Sequence, residues 1–362
     1  MSEFQTLHEI ARAAREHLDD GVWDYLMGAA ETETTLHRNR HALDAIAFRP
    51  RVLRDVRQID LRCALFGQTS RIPVFIAPIG SLQALHASGS LGVARAAEQF
   101  GVASFLSMVT QPGMEEVAAA TTHPKIFQLY VRGDNAWVAE YVERAVRAGY
   151  AAFCITVDSA LYTRRERDIV KRWVPNSMRT TLATGFEYQA GHTWEHVAWF
   201  KAKYPKLPLV LKGIATAEDA NIAIEHGVDG IYVSNHGGRQ LDHGAGAIEV
   251  LSEVVEAVDR RAQVFVDGGF YRGADVLKAI ALGADAVGIG RLYGLGLAAA
   301  GEAGVLRVLE LLEDEMRRSM GNLGVTTLDQ LDRSYLRQAT PAYHGSAYAS
   351  AFPFLELRAS KY

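Results

Sequence analysis

The sequence predicts a TIM (β/α)8 barrel behind an N-terminal helical segment. Three observations carry this. After Pro73, eight short apolar runs alternate with eight helical patterns, the rhythm of βαβ units around a parallel sheet. The runs are apolar on both faces, as strands covered on both sides require. Glycine clusters follow the seventh and eighth runs, where barrels commonly bind phosphate. A doubly wound sheet would place its glycine cluster after the first strand, and PIGSLQALHASG at 78–89 is a poor match to that pattern.

The elements follow in order. Residues 1–60 form the helical segment of a single domain spanning 1–362. Leu7, Ile10, Ala11, Ala14 and Leu18 recur at helical spacing, so Thr6 to Leu18 reads as an amphipathic helix. Helices are also expected over Val22–Ala30 and, more polar, over Thr34–Leu43. The barrel occupies 73–320. Its strands are PVFIAP (73–78), VASFLS (102–107), KIFQLYV (125–131), AAFCITVD (151–158), PLVLKG (208–213), GIYVSNH (230–236), QVFVDGG (263–269) and AVGIGR (286–291). The helices between them are expected at Ser90–Gly101, Met114–Ala120, Asn135–Gly149, Thr193–Lys203, Ala217–His226, Ile248–Asp259 and Ala274–Leu282, with a last one at Gly304–Ser319. Thr216 caps the fifth, with Asp219 at the capping-box position. Ser159–His192 is irregular, and 321–362 is a tail.

Composition sets bounds. The chain has 362 residues, 49% hydrophobic and 22% charged, which is ample for a large core. A net charge of −4 makes no case for nucleic acid or an anionic membrane. The N-terminus MSEFQTLHEIARAAREHL has no apolar core of a signal peptide, and no run is long enough to span a bilayer. Of the two cysteines, Cys63 and Cys154, the second lies in an apolar run, so a buried thiol in a reducing, cytoplasmic setting is expected. No metal site is expected.

Polar residues gather where barrel strands end. GIYVSNHGGRQLD, 230–242, leaves a buried strand and places His236 three residues before Arg239 across a glycine pair. An imidazole titrates near neutrality, and a guanidinium forks onto a carboxylate. Gly237 and Gly238 permit a sharp turn or the close approach of a flat ligand. The other strand ends add Ala77, Pro78, Ser107, Gln128, Tyr130, Thr156, Asp158, Lys212, Ser234, Asp267, Gly268, Gly269, Gly290 and Arg291. Groups of this kind are costly inside a strand but form a polar ring at one rim. DGGFYRG (267–273) and GIGR (288–291) suit a phosphate through backbone N–H groups, with Arg272 and Arg291 adding charge.

Together these segments resemble the FMN-dependent α-hydroxy acid oxidase and dehydrogenase family, which includes glycolate oxidase, lactate oxidase and mandelate dehydrogenase. The resemblance runs from WDYLMGAA to GIGR, and SNHGGRQLD is its most specific part. FQLYV, TVDSALYTRRERD, LKGI and DGG follow in the family's order. It implies FMN as cofactor, a 2-hydroxy acid as substrate, O2 or an electron carrier as acceptor, and a tetramer. By position it makes His236 the base, Asp158 its partner, and Arg165 and Arg239 the grip on the substrate carboxylate. Tyr25 would bond that carboxylate and Tyr130 the hydroxyl. Lys212 would stand by the flavin N1–O2 edge. Ala77, Pro78, Ile79, Gly80, Ser107, Gln128, Thr156 and Ser234 would line the flavin. Asp267, Gly268, Gly269, Gly290 and Arg291 would hold the ribityl phosphate.

Three positions depart from the family pattern. Val109 stands where an aromatic residue is common, which implies room for a side chain bulkier than glycolate's. Ile79 replaces a threonine hydroxyl. Tyr271 replaces a phosphate-binding arginine, a loss for which Arg272 would compensate. The competing reading is a non-redox barrel isomerase or lyase acting on a phosphorylated substrate, with Lys212 in proton transfer or a Schiff base. A catalytically dead barrel serving as a binding module is the third.

Overall fold

The structure is a computed structural model that describes residues 4–175, 184–342 and 345–355. Three helices open the chain: α1 (Leu7–His17), α2 (Asp20–Met27) and α3 (Thr34–Asp44). Thr6 caps α1, and Glu9 closes the capping box. A strand β1 (Ile46–Phe48) and a hairpin of β2 (Cys63–Leu65) and β3 (Gln68–Ser70) precede the barrel. The sequence pattern shows none of these three.

The barrel then runs β4 (Val74–Ile76), α4 (Gly89–Phe100), β5 (Ser104–Ser107), α5 (Met114–Ala120), β6 (Lys125–Leu129), α6 (Asn135–Arg147), β7 (Ala152–Thr156), then short helices α7 (Glu166–Val170) and α8 (Phe186–Ala190) before α9 (Trp194–Lys203). It continues with β8 (Leu209–Ile214), α10 (Ala217–Glu225), β9 (Gly230–Val233), α11 (Ala247–Val258), β10 (Gln263–Val266), α12 (Gly273–Ala281), β11 (Ala286–Ile289) and α13 (Arg291–Leu323). The eight strands β4–β11 pair in parallel and close into a barrel, with Val287 opposite Val74. The expected TIM barrel is the observed fold. A last strand, β12 (Leu336–Gln338), returns to pair antiparallel with β1.

Apart from shifts of a few residues at element ends, three features differ from expectation. The last helix starts at Arg291 rather than Gly304, because LYGLGLAAA is itself buried helix and joins the later part across a break at Ala300–Gly301. The irregular stretch contains α7 and α8, while 176–183 lies outside the described residues. Thr216 does cap α10 by accepting from the Asp219 N–H, but the reciprocal bond, from the Thr216 N–H to the Asp219 carboxylate, is not formed.

The barrel interior is packed. Phe75 meets Phe105, Tyr232 and Phe265 with ring centroids 4.9, 5.3 and 5.5 Å apart. The hairpin tip seals the lower end: the Phe66 ring lies 5.4 Å from Phe265, and its N–H donates to Gln263. Cys154 is fully buried among these rings, and burial pushes its thiol up. Both cysteines are free. Tyr232 belongs to this core yet donates its hydroxyl to Asp267 at the rim (2.9 Å), so the packed interior directly fixes a rim carboxylate.

Candidate active site

The cavity lies at the C-terminal ends of the strands, with an empty volume of about 1250 Å³ including its open mouth.

His236 follows β9 with a left-handed backbone, φ +59°, as do Gly237 and Gly238. A histidine held there is strained, a state that surrounding structure must enforce. Three contacts do so. The His236 N–H donates to Ser234 Oγ at 3.0 Å. Its Nδ1 lies 3.1 and 3.3 Å from the Asp158 carboxylate oxygens. Its Nε2 lies 3.2 Å from the Tyr130 hydroxyl. An Nδ1–H donated to Asp158 leaves the lone pair on Nε2, facing Tyr130. Burial, then Lys212, lowers the imidazole below its ordinary value, against the pull of Asp158. Burial would raise Asp158, but His236 and Lys212 together hold it below the usual carboxylate range. Burial raises the Tyr130 phenol, with Asp158 adding to the effect.

Lys212, on β8, is 2% exposed and donates to Ser234 Oγ at 3.0 Å. Ser234 in turn donates to Asp267 at 2.6 Å. Asp267 also stands 3.9 Å from the Lys212 ammonium. The buried lysine thus has an anion within the protein. The Asp267 carboxylate is correspondingly engaged by Tyr232, Ser234 and Lys212.

Arg239 donates one Nη1 to the carbonyls of Tyr25 and Gly28, both at 2.7 Å, and lies over the Tyr25 ring at 5.1 Å. Burial, with Arg165 and Arg291 beside it, lowers it to about 10. Arg165 lies over the Tyr162 ring at 5.0 Å, and its buried Nε has no partner among the described residues. Asp168 interacts with both arginines, while its own carboxyl is raised by burial. The Tyr25 hydroxyl donates to Gly80 O at 3.0 Å. Val109 packs on Gly80, where an added Cβ would come within 2.8 Å of it.

The structure corrects the roles expected of several residues. Arg272 faces away from the cavity, pairing with Glu315 and donating to Ala351 O at 3.1 Å, so it does not replace the missing arginine at Tyr271. The Tyr271 ring itself is buried against Tyr348 and Phe352. Arg291 lines the cavity but donates to the carbonyls of Leu26, Gly237 and Gly28. The glycine pair makes room for protein rather than a flat ligand: a Cβ on Gly237 would meet Arg291, and one on Gly238 would meet Leu36 in α3.

α3 is the largest surprise. Asn39 exchanges amide hydrogen bonds with Asn235 at 2.9 and 2.7 Å, directly before His236. Arg40 joins Asp275, Asp44 and Gly269 O. The leader helix is therefore the outer brace of the His236 loop. The sequence reading also missed Arg132, Ser159, Leu161, Tyr162, Phe186 and Gln240, which line the cavity. Ser159, Leu161, Tyr162 and Gln240 lie inside the segments that carry the resemblance, and Arg132 is a charge two residues beyond Tyr130 at a strand end; Phe186 carried no signal.

The residues fit an FMN. Gln128 Nε2 donates to Thr156 Oγ1 at 2.8 Å, yet its buried Oε1 has no partner among the described residues. Such an orphan requires a ligand donor, and a flavin ring edge provides one. Around Gly290, a Cβ would meet only Ile79, at 3.9 Å, and α13 begins at the next residue. Open glycine backbone at a helix N-terminus suits a phosphate. Ser107 and Ser234 are buried beside this region, and Ala77, Pro78, Ile79, Gly268 and Gly269 line it.

Comparison with known proteins agrees. The sequence model of the family described as FMN-dependent dehydrogenase matches residues 14–338. Glycolate oxidase of Spinacia oleracea is 40% identical, over 92% of this chain and 96% of that protein. L-lactate oxidase of a Nostoc species is 39% identical, over 91% and 97%. A solved structure of mandelate oxidase superposes with a TM-score of 0.86 at 39% identity, covering 94% of this chain and all of that one. A (S)-mandelate dehydrogenase chimera gives a TM-score of 0.87 at 33% identity, over 92% of this chain and 99% of that one. The chain belongs to the FMN-dependent α-hydroxy acid oxidase and dehydrogenase family, oxidoreductases that act on CH–OH donors from a TIM barrel.

Proposed function

We propose that this protein oxidises an L-2-hydroxy acid bulkier than glycolate to its 2-keto acid, with His236 as the base. The observation that carries this is a single constellation. His236 Nδ1 is fixed by Asp158 and its Nε2 meets Tyr130 at 3.2 Å, in one cavity with Arg165, Arg239 and Lys212.

FMN, when bound, supplies the acceptor of two electrons. The chain's own residues do the rest. Arg165 and Arg239 hold the substrate carboxylate and so position the α-carbon. Tyr130 bonds the α-hydroxyl, next to Nε2. His236 Nε2 takes a proton from the substrate, and Asp158 stabilises the imidazolium that results. Burial keeps the imidazole neutral at neutral pH, which is the form a base needs. Gln128 and Thr156 would bond the cofactor ring, with Ser234 beside it holding Lys212 in place. The backbone at Gly268, Gly269 and Gly290 receives its phosphate, with Arg291 adding charge. Lys212 provides a positive charge on the floor of the cavity.

Anaerobic mixing with a panel of L-2-hydroxy acids tests this. Flavin absorbance should bleach, faster with substituted acids than with glycolate, and readmitted air then separates O2 from another acceptor. A protein that holds FMN and is bleached by no 2-hydroxy acid would overturn the reading.

A further inference from the structure

The cationic side chains that line the cavity are Arg132, Arg165, Lys212, Arg239 and Arg291. Four have an assigned counter-charge or partner. Lys212 faces Asp267. Arg291 is bonded to three carbonyls at the phosphate end. Arg165 and Arg239 both feel the Asp168 carboxyl and are together assigned to the one substrate carboxylate. Arg132 remains. It forms no ion pair among the described residues, and its guanidinium bonds only the carbonyl of its neighbour Val131, at 3.2 Å. The nearest acid acting on it, Glu187, is exposed. Burial lowers Arg132 from its ordinary value, with Tyr130 and the exposed Glu187 acting against it, and the half-buried guanidinium has no carboxylate in ion-pair range among the described residues.

Its position is built rather than incidental. The guanidinium lies 4.0 Å over the Phe186 ring and 5.7 Å over that of Tyr130, whose hydroxyl meets His236. Gly185, at φ +75°, brings the chain so close to the Arg132 carbonyl that a Cβ there would collide with it. This is what sets Phe186 above the guanidinium. The segment does not depend on Arg132 for anchorage. Gln189 pins it, accepting from Val131 N–H at 2.7 Å and donating to Thr156 O at 2.9 Å. The arginine is therefore spare as a structural clamp and spare as a partner for the first carboxylate.

We propose that Arg132 recognises a second carboxylate, at the far end of the substrate side chain, so that the preferred substrates are 2-hydroxy dicarboxylic acids. This rests on reading the cavity as a 2-hydroxy acid site. It accords with the small Val109, since a longer side chain needs space as well as a charge to meet. A planar fork stacked on an aromatic face is suited to carboxylate geometry.

The experiment compares L-2-hydroxyglutarate with L-2-hydroxypentanoate, which has the same chain length but no distal charge, in the FMN-loaded full chain. The wild-type ratio of kcat/KM, diacid over monoacid, should exceed tenfold. In Arg132→Gln that ratio should fall by about ten- to a hundredfold, the scale of a charge-assisted hydrogen bond. Arg132→Lys should recover part of it. The Kd for 2-oxoglutarate, read from its perturbation of the flavin spectrum, should rise in parallel, while the Kd for 2-oxopentanoate should not. A series from 2-hydroxysuccinate to 2-hydroxyadipate should show an optimum length. Equal losses on both acids in Arg132→Gln would make the residue a support for Phe186 and sink the proposal. So would a wild type that prefers the monoacid. Failure of both acids to bleach the flavin would instead strike the hydroxy acid reading itself.

Discussion

The floor of the cavity and its outer wall are held by different forces. On the floor, Asp158, Lys212, Ser234, His236 and Asp267 form one continuous hydrogen-bonded set, tied to the barrel core through Tyr232. Ser234 alone accepts from Lys212 and from the His236 N–H while donating to Asp267. Removing any member leaves a buried polar group without a partner. On the wall, Arg132, Tyr162 and Phe186 meet through ring and cation–π contacts, and Leu161 and Tyr162 are 74% and 43% exposed. Such contacts are weak and tolerant. The difference teaches where function can vary: a change in the wall can select another substrate, whereas a change in the floor attacks the reaction.

The sharpest way to break this comparison is His236→Gln. Glutamine keeps a polar side chain but cannot act as the base. The variant should hold FMN and bind an unreactive 2-keto acid nearly normally. Flavin reduction should nevertheless slow by roughly 10²–10⁴-fold or more. The wild-type pH profile gives a second reading of the same residue. Burial and Lys212 lower the imidazole, and the proposed base is its neutral form. Reduction should therefore be constant down to about the ordinary histidine value near 6.5 and decline only below it. Wild-type reduction rates in His236→Gln, measured by stopped-flow, would mean that the floor does not hold the base.

Next in size is Arg239→Lys, at the seam of floor and wall. The ammonium keeps the charge but loses the fork. It also loses the paired bonds from Nη1 to Tyr25 O and Gly28 O that lock α2 over the site. Affinity for a 2-keto acid should weaken by about 2–3 kcal/mol, the range of charged hydrogen bonds. Reduction should slow as well, since a loosely held carboxylate misplaces the α-carbon. Titration of the flavin spectrum with the keto acid checks the first, and single-turnover reduction checks the second. Unaltered affinity would move the carboxylate to another cation.

The two regions were not equally legible in the sequence. The floor sits at strand ends, and a polar residue that closes an apolar run is visible in one dimension. His236, Asp158, Lys212 and Asp267 all have that signature. The wall was hidden because Phe186 and Tyr162 lie in a stretch without periodicity, and aromatic residues in loops announce nothing. The brace was hidden for another reason. Asn39 and Arg40 look like the polar face of an exposed helix, yet both are buried, since their partners Asn235 and Asp275 lie more than 190 residues away. Arg272 misled in the opposite sense: one position beside a phosphate segment, it turns outward to Glu315, and sequence does not carry that rotation.

The smallest effect expected, and the most selective, is that of Val109→Trp. Val109 sits where the wall meets the loop after strand β4: it packs on Gly80, and its carbonyl accepts from Ser81 N–H at 2.9 Å. Its backbone is thus anchored, so a larger side chain would fill the cavity and leave the loop in place. An indole there would take up space beside Tyr25 that a longer substrate needs. Overpacking of this kind costs about 1–3 kcal/mol, so kcat/KM for diacids and branched 2-hydroxy acids should drop roughly five- to a hundredfold. Glycolate, with no side chain, should lose much less. The floor is untouched, so the reduction rate at saturating glycolate should stay within a few-fold of wild type. A uniform loss across all substrates would show that the indole disturbs the floor, and that Val109 does not set the size of the substrate.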